Sequence, residues 1–238
     1  MALIDGRIPR LAALIREALA VLAAILIAFA LDAWWDDRVE RQAMIAALET
    51  VAMEVDRNLE LLDQTRSYNQ SSVAASRRAL GLSLETLGAL SSTEVMAFAD
   101  MPNYLLVTLE QGAITAFIEG GFLPVVDDLQ LRVMLASLPR LQDELNEEGG
   151  SVALAMDRFT ARLMAALPDE LLLDPLALAR SEAGTRAILT AIASDRDTRE
   201  TFFERTFVLG FIYDMELVTS REQLMQARRQ IAAALEAH

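Results

Sequence analysis

The chain has 238 residues, of which 35 are acidic and 21 are basic, so its formal net charge at pH 7 is −14. It contains no Cys, and its single His is the last residue, His238. These absences exclude disulfides, thiol nucleophiles, iron–sulfur clusters and Ser-His-Asp triads. An acidic chain without a basic stripe is also a poor partner for nucleic acid, because phosphates require Lys and Arg.

The first predicted element is a transmembrane helix over residues 18–35, preceded by a cytoplasmic or interfacial N-terminus at residues 1–17. No residue from Ala18 to Leu31 is polar. Eighteen helical residues rise about 27 Å, which nearly spans a hydrocarbon core of about 30 Å.

Both ends of this segment carry residues typical of a membrane interface. Arg16 can extend its charged end into the headgroup region, and Trp34 and Trp35 fall where an aromatic belt is expected. Glu17 has two interpretations. It forms an ion pair with Arg16 at the interface, or it makes a polar contact between subunits.

The basic residues near the segment favour an N-terminus in the cytoplasm. Three Arg residues precede the apolar run and two follow it closely: Arg7, Arg10 and Arg16, then Arg38 and Arg41. By the positive-inside rule, residues 36–238 form an extracytoplasmic domain, on the periplasmic side of a bacterial inner membrane.

Two alternatives to an anchor remain. The segment could be a cleaved signal peptide with an A-x-A site at Ala28-Phe29-Ala30, or a buried core helix. Against cleavage, the apolar character continues through Trp35 and the helix-forming sequence does not break there. Within the span, Ala20, Ala24 and Ala28 recur every four residues, a spacing that lets two helices approach closely.

The helix is predicted to continue as a stalk to about Leu80, because no Pro or Gly occurs between Leu11 and Leu80. Its apolar residues are spaced three or four apart, which is typical of a helix-packing seam. The members of this seam are Leu48, Val51, Val55, Leu59 and Leu62.

Shorter helices are predicted next, from their capping residues and breaks. One starts at Ser91–Glu94, and Pro102-Asn103 is a break. Thr108–Gln111 has the spacing of a capping box, and the helix after it ends at Gly120-Gly121. Another begins at Asp127 or Asp128 and runs to about Glu148, with a kink at Pro139. A turn at Gly149-Gly150, a helix beginning at Ser151 and a helix over 181–193 follow.

The last predicted element is a helix of about 40 residues that starts at Ser194–Asp197 and is interrupted only by Gly210. Its apolar side includes Phe202, Leu209, Tyr213 and Leu217. Its length is similar to that of the stalk, so we expect the two to pack antiparallel. The chain shows no alternating strand pattern, and the fold class is therefore all-α, with a helical-bundle ectodomain.

Three sets of acidic residues are candidates for chemistry. Asp143, Glu144, Glu147 and Glu148 are predicted to lie at a helix end, most simply as a solvated face. Asp195, Asp197 and Glu200 faintly resemble a calcium loop but lack its Gly and final Glu, so helix capping explains them better. Glu110 and Glu119 are too far apart for paired acid–base work, more than 13 Å along a helix. We expect no cofactor and no metal site.

Short motifs along the chain resemble a family of bacterial single-pass membrane proteins without an assigned activity. Its members have a Glu before the apolar span and an Asn or Asp followed by Trp after it, as at Glu17, Asp32 and Trp34 or Trp35. The segment ITAFIEGGFLPVVDDLQLRVMLASLPRLQDELNEE is similar to the middle of that family. The resemblance implies an anchor and a helical extracytoplasmic domain, and it transfers no catalytic residue.

The sequence therefore predicts a protein that is not an enzyme. We expect a membrane-anchored scaffold or accessory subunit that acts through helix–helix contacts, in a homo-oligomer or a larger membrane protein complex, in contact with membrane lipid. The alternative is an extracytoplasmic ligand-sensing helical bundle that signals through a partner. The acidic segment 79–156, with a net charge of −9 from two Arg and eleven acids, would favour a cationic ligand in that case.

Overall fold

The computed structural model describes residues 8–167 and 181–237. Every regular element in these ranges is helical, which confirms the all-α prediction. The helices are α1 (Ile8–Leu80), α2 (Leu84–Gly88), α3 (Ser92–Met96), α4 (Gly112–Glu119), α5 (Leu129–Ser137), α6 (Arg140–Ala166), α7 (Glu182–Ser194), α8 (Arg196–Phe207) and α9 (Asp214–Glu236), with a 3₁₀ turn at Leu123–Val125 and a π-helical segment at Val208–Tyr213 that joins α8 to α9.

Helix α1 is a single helix of 73 residues, about 110 Å long. Residues 19–40 are exposed along their whole length, and the first buried side chain is that of Met44. In the described part of the chain, α1 is the one helix that is long and apolar enough to cross a membrane, a property that a signal sequence would share. The first part of α1 thus projects away from the bundle.

The C-terminal run of α8, the π segment and α9 packs antiparallel to α1, as predicted. Three ion pairs define the register: Arg66 with Asp214 at 2.9 Å, Arg221 with Asp63 at 2.7 Å, and Arg228 with Asp56. As residue numbers rise in α9, they fall in α1. The C-terminus therefore returns toward the exposed part of α1.

The predicted packing seam of α1 lies in the core of the chain itself. Leu48, Val55 and Leu62 are buried and Leu59 is half-buried, all in the cluster that includes Leu217, Leu224 and Ile231 of α9. A second cluster lies at the far end of the bundle, where α6, α7 and α8 meet around Phe159, Ile192 and Phe202.

Most predicted helix starts coincide with real caps. Ser91 and Glu94 form a capping box at α3, Asp128 caps α5, and Ser181 caps α7. Helix α8, where the last predicted element starts, is capped by Asp195.

The predicted turn at Gly149-Gly150 was wrong. Helix α6 continues through both glycines from Arg140 to Ala166, so Ser151 begins no helix. Gly149 is buried, and a Cβ there would lie 3.4 Å from the side chain of Leu106. This glycine serves a close packing contact instead of a turn. It also follows that Asp143, Glu144, Glu147 and Glu148 lie inside a helix and not at its C-terminus.

The predicted capping box at Thr108–Gln111 was also wrong. Helix α4 begins at Gly112, and Gln111 makes no side-chain cap. The cap comes from α1, where the buried carboxylate of Glu54 accepts hydrogen bonds from the backbone N–H groups of Ala113 (2.6 Å) and Ile114 (3.1 Å). A carboxylate is favourable there because it meets free N–H groups and the positive end of the helix dipole.

Residues 103–111 form an extended strap that runs antiparallel to α1 without belonging to a sheet. Asn69 of α1 donates to the carbonyl of Leu105 and accepts from its N–H, both at 2.8 Å. Asn58 holds Glu110 in the same way, also at 2.8 Å. The two Asn are eleven positions apart, a rise of about 16.5 Å in a helix, and their two strap partners are five positions apart, about the same distance in extended chain.

We predict that Asn69→Ala destabilises the protein by about 2–4 kcal/mol. The substitution leaves the N–H and the carbonyl of Leu105 without their partner, and unsatisfied polar groups cost more than the bond itself is worth. Chemical denaturation measures the effect. Gln64→Ala, at an exposed position of the same helix, is the matched control and should change stability by less than about 0.5 kcal/mol. If the two variants lowered stability equally, the hydrogen bonds of Asn69 to Leu105 would not have the stabilising role given to them.

The π segment brings the C-terminal helix into close contact with α1 at Gly210. A Cβ at this position would lie 2.7 Å and 3.0 Å from the two methyl groups of Val73. We predict that Gly210→Ala destabilises the chain by about 1–2 kcal/mol through this overlap. Gly150→Ala, in a helix with open space around the site, should instead stabilise it by about 0.5–1 kcal/mol. Thermal unfolding distinguishes the two, and Val73→Ala should rescue Gly210→Ala.

Candidate protein-binding surface

The predicted membrane residues that the structure describes all lie on the exposed part of α1. Glu17, Ala20, Ala24 and Ala28 are exposed, and the side chain of Arg16 lies outside the described part. The rings of Trp34 and Trp35 lie 6.4 Å apart, and the guanidinium of Arg38 lies 5.9 Å from the centre of the Trp34 ring. Such a group of aromatic and cationic side chains suits a membrane interface.

The fold disperses these candidate acidic residues. Glu110 lies in the strap, where it pairs with Arg57 at 3.4 Å, and Glu119 is the last residue of α4. Asp195 caps α8, and its pKa is lowered by the hydrogen bond from the Thr198 hydroxyl and then by that from the Thr198 N–H. Among the described residues, no group of three or more acidic or His side chains could hold a metal ion.

A stripe of large apolar side chains lies on the outer face of the C-terminal run. Its members are Phe203, Phe207, Phe211 and Met215, which are 59%, 47%, 56% and 57% exposed. We call these four residues the aromatic stripe. The opposite side of the same run carries Phe202, Leu209, Tyr213 and Leu217, which form the buried face.

The π segment keeps the aromatic stripe straight. In an α-helix, residues four apart drift by about 40° around the axis. A π turn contains more residues than an α turn. Four residues therefore fall short of a full turn between Phe207 and Phe211, and this offsets the drift that the neighbouring α-helical turns produce. The rings of these two residues lie 5.3 Å apart and nearly parallel, at 22°. The stripe therefore presents one continuous apolar ridge.

Two ion pairs fix how α6 lies beside this ridge. Arg158 pairs with Glu204 at 2.6 Å, and Arg162 pairs with Asp197 at 3.0 Å. The two helices are antiparallel, because the residue with the higher number in α6 pairs with the one with the lower number in α8. The N-terminal half of α6 consequently lies beside the Met215 end of the stripe.

An acidic cluster forms where α6 approaches that end, and we define it as Glu144, Glu147, Glu148 and Glu216. Burial raises the pKa of Glu216, and the nearby carboxylates of Glu144 and Glu148 raise it further, against a smaller effect of the Ser220 hydroxyl. None of the four forms an ion pair within residues 8–167 and 181–237. The charge of the cluster is therefore not compensated by an ion pair with any other described residue.

A groove in the described part of the chain lies elsewhere, between α5 and α9. It has a volume of about 640 Å³. Apolar side chains and neutral amides line it, including Leu129, Val133, Gln223 and Gln226, and none of its lining residues is charged.

Sequence reasoning identified the buried face of the last helix but missed the aromatic stripe. The signal was present as a second set of apolar residues at a spacing of four, offset by one or two positions from the first. It was overlooked because one apolar face is enough to explain a packed helix.

Comparisons of the chain with protein-family models, with curated proteins and with solved structures find no match.

We predict that Glu216→Gln raises Tm at pH 7 by about 1–2 °C, a small gain because solvent screens a half-exposed carboxylate. The pKa of Glu216 is higher in the folded chain, so folding disfavours the charged form and the cost exists only above the ordinary pKa of 4.5. The gain should vanish as the pH falls below that value. Glu222→Gln, at an exposed position of α9, is the control. A gain that persists in acid would contradict this explanation.

Proposed function

We propose that this protein is a membrane-anchored scaffold or accessory subunit, not an enzyme, that binds a partner through the aromatic stripe. The observation that carries the proposal is the exposure of three Phe and one Met in a row on a helix whose other side is fully packed. Exposed apolar side chains that adjoin one another often mark a protein-interaction site, whereas single scattered ones do not.

The size of the stripe fits the centre of an interface. A buried aromatic side chain contributes about 150–250 Å², so four side chains exposed by half present about 400 Å². A stable interface buries about 800 Å² on each partner. The stripe thus supplies about half of such an interface, in the position where binding energy is usually concentrated.

The anchor is part of this proposal. Residues 18–35 would span a bacterial inner membrane with the N-terminus in the cytoplasm, and residues 36–238 would lie on the periplasmic side. The exposure of residues 19–40 supports this arrangement, because an apolar helical run of this length suits a bilayer core. We also propose membership of the family of single-pass proteins that the sequence resembles.

The packing seam of α1 contributes to the fold rather than to assembly. Leu48, Val55, Leu59 and Leu62 already pack against α9 or its neighbours. Contacts with other subunits would therefore use the aromatic stripe outside the membrane and, within it, the face with Ala20, Ala24 and Ala28.

The second candidate function is that of a ligand-sensing bundle. The observation in its favour is the groove between α5 and α9. Its uncharged lining would suit a neutral ligand better than the cationic one suggested by the net charge. Loss of the aromatic stripe should leave this function intact.

The test is the double substitution Phe207→Ser/Phe211→Ser in the full chain. We expect the complex extracted gently from its own membranes to lose its partner mass in native mass spectrometry, while Tm changes little because both side chains are exposed. Met53→Ser, at a position of α1 that is 56% exposed, is the matched control and should keep the complex. A complex that survives the double substitution would contradict the proposal.

A further inference from the structure

We propose that the aromatic stripe and the acidic cluster form one docking site, apolar along its length and acidic at one end, for an amphipathic helix of another protein. That helix would be apolar along one face and would carry Arg or Lys at the end that meets the cluster. The inference rests on the proposed function and specifies its partner.

The two ends of the site differ in charge. At the Phe203 end, the acids are neutralised inside the chain: Glu204 by Arg158, Asp197 by Arg162 and Glu200 by Arg196. At the Met215 end, the four acids of the cluster form no ion pair among the described residues. A ligand that covers the whole stripe therefore meets a neutral end and an acidic end.

The position of Glu216 joins the cluster to the stripe. Glu216 directly follows Met215 on α9, which contacts α6. The register set by the pairs Arg158–Glu204 and Arg162–Asp197 brings the part of α6 with Glu144 and Glu148 to this level, and these carboxylates raise the pKa of Glu216 after burial does. A cation that arrives with a ligand on the stripe would relieve this repulsion. Acidic residues that only solvate a helix face need not lie next to an exposed apolar stripe, as these do.

The same charges disfavour a second copy of this chain as the occupant. Two copies anchored in one membrane share their orientation, and a two-fold axis along the membrane normal brings the same residues to the same height. The acidic cluster of one copy would then face that of the other, and like charges across an interface are unfavourable. A basic partner reverses the sign of this interaction.

The dimensions of the site fit a helix. The two ends of the stripe are twelve positions apart, about 18 Å. A partner helix needs apolar residues at i, i+4, i+7 and i+11 to cover it, and one further turn to reach the acids. This is the pattern by which amphipathic helices dock on apolar surfaces.

The test uses the full chain in lipid nanodiscs and two synthetic helical peptides as probes. Both peptides carry Leu at i, i+4, i+7 and i+11; one ends in three Arg residues and the other in three Glu residues. Fluorescence anisotropy measures their binding. We expect the Arg peptide to bind at least about tenfold more tightly, with an affinity that falls as salt is added.

Two variants of equal net charge separate the acidic cluster from general electrostatics. Glu144→Lys/Glu147→Lys changes two exposed residues of the cluster, and Glu85→Lys/Glu119→Lys changes two exposed acids elsewhere. The first pair of substitutions should lower the affinity for the Arg peptide by about tenfold, and the second pair by less than about threefold. Circular dichroism and Tm confirm that all variants are folded.

The outcomes distinguish this inference from the proposed function. If the wild-type chain does not prefer the Arg peptide, or if both charge variants weaken it equally, the basic partner is excluded. If the native complex depends on Phe207 and Phe211 but its mass is a multiple of this chain alone, the stripe binds a second copy and the inference fails while the proposed function stands. If neither the substitutions in the stripe nor those in the cluster change the native complex or peptide binding, the proposed function and this inference are both wrong.

Discussion

The fold depends on side chains of α1 that take the place of a neighbouring strand. Asn58 and Asn69 each bind both the N–H and the carbonyl of one strap residue, as the next strand of a sheet would. Glu54 continues the same row by capping α4. An extended segment buried on a helical bundle would otherwise leave its backbone groups unsatisfied, at a cost that a marginally stable protein cannot tolerate. The helix that carries the apolar segment therefore also determines where the rest of the chain can lie.

A buried arginine connects this strap to the C-terminal run. Arg205 of α8 is fully buried, and it donates to the hydroxyls of Ser76 (2.9 Å) and Ser72 (3.1 Å) and to the carbonyl of Asn103 (2.7 Å). Burial lowers its pKa to about 10, so the side chain remains charged at neutral pH. Its hydrogen-bond partners are neutral oxygens, which compensate a buried charge through several bonds rather than through one ion pair. Arg205 lies inside the same turns that carry Phe203 and Phe207 outside, so the polar contact fixes how the aromatic stripe is oriented.

The sequence was sufficient for the elements whose cause is local. The absence of Pro and Gly predicted α1, and Ser91, Asp128 and Ser181 marked helix starts because capping acts within three residues. It failed where the cause was distant. Gly149 lies in a helix because Leu106 packs on it, and α4 begins at Gly112 because Glu54, almost sixty residues earlier, caps it. The aromatic stripe could have been found from its spacing, whereas its relation to Glu144 and Glu148 required the register set by Arg158 and Glu204.

The register of the C-terminal run also limits where a partner can be. Asp214 lies beside Arg66 and Arg205 beside Ser76, which are 31 and 41 residues beyond Trp35. At 1.5 Å per residue, the aromatic stripe would lie about 45–60 Å above a membrane boundary at Trp35. The headgroup region extends only several ångströms beyond the hydrocarbon core, so neither lipid nor the transmembrane part of another subunit can reach the stripe. Under the proposed anchoring and docking, its occupant would belong to a domain that extends as far from the membrane as this bundle does, with its basic end directed toward the bilayer.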